Sequence, residues 1–139
     1  MVKRLVLRSV FLGLSLMMAT AVSVHAEDWP QWRGIGRDGV WPDTGVVERF
    51  PDTGLNVTWR VAVGGGFAGP TVAGGRVFVL DYEETPGSRT MDGTERLLAL
   101  DEETGVILWS QTWAAADRNI TFKFATGPRT PPTIDGDHV

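Results

Sequence analysis

The 139-residue sequence predicts an all-β chain assembled from repeated four-stranded antiparallel units. Three observations predict it. From Trp29 onward Gly and Pro recur every few residues, and no window keeps apolar residues at helical spacing for three turns. Short apolar, β-branched or aromatic runs stand between these turn residues, at 57–63, 76–80, 97–100 and 106–113. Finally, two stretches return later in the chain in the same order. "GPTVAGGRVFVL" (69–80) is echoed by "PPTIDGDHV" (131–139) at an offset of 62, and "VTWRVAV" (57–63) by "ILWSQTW" (107–113) at an offset of 50.

The first element is the one convincing helix. Lys3, Arg4 and Arg8 precede an apolar stretch from about Val10 to Val22, and Val24-His25-Ala26 puts small residues where a signal peptidase reads. This predicts a signal-peptide helix over 1–26, cleaved after Ala26. A transmembrane anchor is the rival, but the apolar stretch is shorter than the roughly 20 residues a bilayer requires. No membrane span is expected after cleavage. The domain proper is then 27–139, whose formal charge falls from −4 to −7 because the leader carries three cations and no acid.

That acidity excludes a nucleic-acid partner. Lys123 is the only lysine beyond the leader, and phosphate neutralisation needs clustered Lys and Arg. The chain has no Cys, which excludes disulfides, thiolate metal sites and a thiol nucleophile. An exported domain of this kind is held by packing alone. Two N-x-T triplets, at Asn56 and Asn119, matter only in a eukaryotic secretory pathway.

The strands follow in order. Strand A is expected near 69–73 and strand B near 76–82, then a polar excursion over 83–94, strand C near 96–100 and strand D near 106–113. Strands C and D are apolar on both faces, as in a strand sandwiched between two layers. Only Asp101 to Gly105 separates them. Asp101 can accept backbone N–H bonds at the start of a type I turn, and Gly105 can supply the positive φ that lets pairing resume.

Four strands per unit at roughly 40–60 residues is the period of a β-propeller blade. The expected architecture is therefore a partial β-propeller: one full blade plus parts of two others, with the last strand of a preceding blade at 57–63 and the start of a following one at 131–139. A closed propeller has roughly four to eight blades, so 27–139 is expected to be the N-terminal part of a longer protein.

"ALDEETGVILW" (99–109) fits A-x-D-x-x-T-G-x-x-x-W at Ala99, Asp101, Thr104, Gly105 and Trp109. It resembles the tryptophan-docking repeat of quinoprotein (PQQ-like) β-propellers, a family that includes PQQ-dependent alcohol dehydrogenases and an outer-membrane assembly lipoprotein. "DWPQWRGIGRDGV" (28–40) and "GPR" (127–129) resemble bacterial exported members. The resemblance implies a periplasmic or extracellular location in a bacterium. It also implies that a docking tryptophan packs on the alanine of its own repeat and on the glycine turn of the neighbouring one, a role expected of Trp109. "TGLNVTW" (53–59) departs from the pattern, with one extra residue before Trp59 and no preceding alanine strand.

No catalytic or metal-ligating set emerges from the residues. PQQ with calcium enters only through the resemblance, since the matching motifs cannot be picked out. Gly64-Gly65-Gly66 reads as a flexible connector, because no helix follows to make a phosphate cradle. "DYEE" (81–84) reads as a solvated loop, lacking the alternate spacing of a calcium loop. Arg129, just before a channel-lining strand, is the candidate cofactor or anion contact. Trp29 and Trp32 read as packing residues, and His138 has no role. The function these readings favour is an exported scaffold binding a protein or a small periplasmic ligand; the alternative is the first part of a PQQ-dependent alcohol or sugar dehydrogenase with its catalytic residues elsewhere.

Overall fold

A computed structural model describes residues 27–116 and 126–139. The predicted leader over 1–26, Asn119 and Lys123 lie outside the described residues. Four strands, β1 (Thr71–Ala73), β2 (Arg76–Glu84), β3 (Asp92–Asp101) and β4 (Ile107–Ala116), form one antiparallel sheet in chain order, and the described residues include no helix. This is the all-β, blade-like unit expected from the repeats.

The order follows from the turns. Gly74 and Gly75, at φ +58° and +72°, close the β1–β2 hairpin between the paired Ala73 and Arg76. Both positions need the left-handed conformation that glycine adopts without steric cost. The second hairpin is tighter than the polar composition of 83–94 suggests. β2 runs to Glu84 and β3 starts at Asp92, with Thr85 N–H donating to the Asp92 carbonyl at 2.8 Å. Tyr82 explains the extension. Its ring lies where a Cβ on Gly93 would be, 2.6 Å from two ring atoms, and its hydroxyl donates to the Met91 carbonyl, so an aromatic clamps the hairpin from one face.

Register builds the core. Thr71, Phe78, Ala99 and Trp109 are direct partners across successive strands, so their side chains form one row on one face. Phe78 and Trp109 sit two strands apart, yet their ring centroids are 6.0 Å from each other at an interplanar angle of 58°. They meet across Ala99, which is fully buried. A methyl group is about the largest substituent that leaves two rings able to touch over the intervening strand. On the opposite face Val72, Val77, Leu100 and Ile107 make the corresponding row. Leu98, Ala99 and Leu100 are consecutive and all buried, which requires cover on both faces of β3.

The expected strand at 57–63 is not a strand in the structure. A strand exists only by pairing, and no described residue pairs with this run. Its neighbours instead hold it by one indole and by backbone contacts at Gly64 and Gly65.

The internal repeat is visible in the coordinates. Asp135 and His138 form an antiparallel bridge 62 residues after the Ala73–Arg76 pair, and Gly136 at φ +59° repeats Gly74 at +58°. The N-terminal segment ties the two copies together. Trp29 exchanges both backbone hydrogen bonds with Val72, at 2.8 and 3.0 Å, and the next carbonyl, of Pro30, accepts from Ile134 N–H at 2.8 Å. Val72 and Ile134 are equivalent positions of successive repeats, so one dipeptide bridges the inner strands of both.

Candidate functional site

The 101–105 turn is organised by its own polar atoms. Asp101 Oδ1 accepts from the Thr104 backbone N–H at 2.9 Å and from its hydroxyl at 2.7 Å, while Gly105 N–H donates to the Asp101 carbonyl at 2.8 Å. The two Thr104 bonds hold the Asp101 carboxyl below its ordinary range. Gly105 takes φ +71° and Asp101 N–H then pairs with the Val106 carbonyl, resuming the ladder into β4.

The indole on this turn is Trp59. A Cβ built on Gly105 would lie 2.6 Å from Trp59 Cδ2, so the bare glycine face is the floor of an aromatic seat. Trp59 Nε1 donates to the Glu102 carbonyl at 2.8 Å, fixing the ring's orientation. The tryptophan of one repeat thus rests on the glycine turn of the next. Trp109 is the register partner of Ala99 in its own repeat, and its ring lies tilted against that of Phe78. It also lines a cleft of about 600 Å³ whose far wall is Ile134 and the 136–139 segment. The sequence marks Trp59 less clearly than Trp109, because "TGLNVTW" carries one extra residue and no preceding alanine strand, although the glycine that receives it stands in the motif at 105.

Beneath the site lies a charge network that the sequence reading missed. "DYEE" is strand, not solvated loop, and Asp81 is buried. Arg96, its direct partner on β3, donates Nε to Asp81 Oδ1 at 2.8 Å and a terminal nitrogen to Oδ2 at 2.6 Å, and reaches Glu83 Oε1 at 2.5 Å. Gly64 N–H also donates to Asp81 Oδ2, at 2.6 Å. Burial acts to raise the Asp81 pKa, but the Arg96 hydrogen bonds, the Gly64 N–H and the guanidinium charge together outweigh it and hold the carboxyl below its usual range. The same pairing raises Arg96.

This network pins the glycine connector. Gly65 exchanges both backbone bonds with Tyr82, and a Cβ on Gly64 would come within 2.4 Å of the Tyr82 carbonyl. The triplet is therefore a close backbone crossing rather than a flexible link. The 126–128 segment covers it, with Pro128's carbonyl accepting from the N–H groups of Phe67 and Ala68.

Asp81 turns its oxygens to Arg96 and Gly64, and no group of three or more His, Cys, Asp or Glu side chains among the described residues could hold a metal ion. Arg129 is exposed and lines a surface cavity of about 370 Å³ with Trp32, Thr130 and Thr133. Trp29 packs as expected, with its ring against Gly34. Trp32 does not; it is 69% exposed.

Residues 46–139, which span the connector, the whole sheet and the start of the following repeat, match the family described as outer membrane protein assembly factor BamB, a PQQ-repeat family. The chain belongs to this family. Its single described sheet is thus a PQQ-repeat blade, and the Trp59–Gly105 seat is a contact between two such repeats. No curated protein and no solved structure matches the chain. Among the described residues, no helix of this PQQ-repeat chain is long and apolar enough to cross a membrane.

Proposed function

We infer that this PQQ-repeat chain is exported and acts as a scaffold whose propeller surface binds another protein. The observation that carries this reading is the fate of the buried charge. Asp81 and Arg96 hold the hairpin and the connector in place. Perturbed ionisable groups mark active sites when they line a cleft, and this pair braces backbone instead. Membership of a family described as an assembly factor supports the same reading, and the signal-like segment at 1–26 supports export.

Two measurements test it. A photo-crosslinking residue at Gln111 on β4, placed in the full-length protein in cells, is expected to give discrete adducts with another protein. The purified full-length protein supplied with PQQ and Ca²⁺ is expected to give no dye-linked alcohol or sugar oxidation. Oxidation at enzymatic rates, without crosslinked partners, overturns the scaffold reading in favour of a dehydrogenase.

A further inference from the structure

We propose that the turn over 31–39, together with the 129–133 segment, is a docking surface for an acidic segment of a partner protein. The inference rests on the protein-binding reading above and names where and with what chemistry that binding occurs.

Two shallow cavities of about 330 and 370 Å³ share Trp32 and Thr133 as a common wall. Arg33 and Arg37 line the first, Arg129 and Thr130 the second, and no carboxylate lines either one among the described residues. A chain of net charge −4 thus gathers three guanidinium groups and two threonines around one exposed indole. Asp38, the acid of the same turn, lines a different cavity, and its Oδ1 is held by Val40 N–H at 2.9 Å.

The backbone adds a second, independent observation. Arg33 and Arg37 adopt φ +66° and +55°, a conformation that favours Gly or Asn over a long side chain. Gly34, between them, is buried against the Trp29 ring, so the turn is seated and cannot relax easily. Arginine at such positions carries a cost in local strain, which points to use of the side chain. Both are already oriented: Arg33 donates to the Asp38 carbonyl at 3.1 Å and lies 5.9 Å from the Trp32 ring, and Arg37 Nε donates to Gln31 Oε1 at 3.1 Å. The terminal nitrogens of Arg37 have no partner among the described residues, leaving two donors of its planar fork for a carboxylate.

Trp and Arg are the residues that dominate protein interfaces, and shallow lobes of this size accept side chains of an extended segment. The indole provides apolar area, the Arg37 fork pairs with Asp or Glu, and Arg33 and Arg129 add positive charge beside it. Charge complementarity therefore selects an acidic occupant.

The test uses the full-length protein and a capped tetraglutamate peptide, with tetraglutamine and free acetate at matched carboxylate concentration as controls, read by NMR at the Trp32 indole N–H and the Arg37 Nε–H. Saturable shifts at both groups with tetraglutamate only, weakened at least tenfold by Trp32→Ala and by Arg37→Asn, are expected. Asn suits the positive φ, so Arg37→Asn keeps the turn, and Arg129→Gln gives a second variant outside it. Equal shifts with tetraglutamine, acetate matching the peptide, or binding unchanged in all three variants overturns the proposal. Crosslinked partners at β4 alongside such a failure would leave the scaffold reading standing, whereas enzymatic oxidation without crosslinked partners would overturn the scaffold reading whatever the peptide does here.

Discussion

Gly105 carries two demands at once, a left-handed φ and an aromatic ring in the space where a side chain would begin. Gly105→Ala meets both, so it should lower stability by about 2–4 kcal/mol, from the φ penalty plus overpacking. Chemical denaturation of the full-length variant measures this. A loss below about 1 kcal/mol would mean that Trp59 moves aside freely. Ala99→Leu is a separate case, because it pushes Phe78 and Trp109 apart rather than blocking a turn. It should cost about 1–3 kcal/mol and change the near-ultraviolet dichroism of the ring pair. The turn was legible in the sequence, since Asp101, Thr104 and Gly105 act through neighbours only a few residues away. The indole seated on it was less so: Trp59 lies 46 positions earlier and lacks the alanine that marks its counterpart, so only the fold brings it to the glycine.

At the scale of the element, the hairpin of β2 and β3 is fixed by a charge pair that no local pattern announced. Asp81 begins what reads as a polar run, and its partner Arg96 is 15 residues away across a register that sequence cannot supply. Asp81→Asn leaves the Arg96 guanidinium short of its main partner and should cost about 2 kcal/mol, discounted from the value for a fully buried pair because Arg96 is partly exposed. The pH dependence has a definite sign. Asp81's folded pKa is depressed, so the pair's contribution is present above the ordinary carboxylate value near 4 and is lost as pH falls through the lower folded value. Wild type should therefore lose more stability than Asp81→Asn between about pH 5 and pH 2. Parallel pH profiles for the two proteins would show that the pair contributes nothing.

Among the described residues, the sheet is covered at β3 and open at β4. Ile107, Leu108, Trp109 and Trp113 on β4 are each 39–49% exposed, far more apolar surface along one strand than a solitary sheet tolerates. β4 also carries no charged residue, so its outer edge has none of the charges that usually guard an edge strand. The purified 139-residue chain should therefore associate as its concentration rises, and should melt broadly rather than in one sharp step. Sedimentation and calorimetry report on both, and a monomer with a single sharp transition would contradict the picture of an open β4. This much of the fold was readable, because a 62-residue echo and runs that are apolar on both faces imply stacked units. The bridging of Val72 and Ile134 by Trp29 and Pro30 was not, because it depends on backbone atoms alone.

One contact joins these scales, the indole of one repeat seated on the glycine turn of the next. Nuclear Overhauser effects between the Trp59 ring and the Gly105 α-protons in the full-length protein test it most directly. The account predicts strong cross-peaks to Trp59, with the Trp59 indole N–H protected by its bond to the Glu102 carbonyl. Cross-peaks from Gly105 to Trp109 instead, or to no aromatic ring, would contradict it.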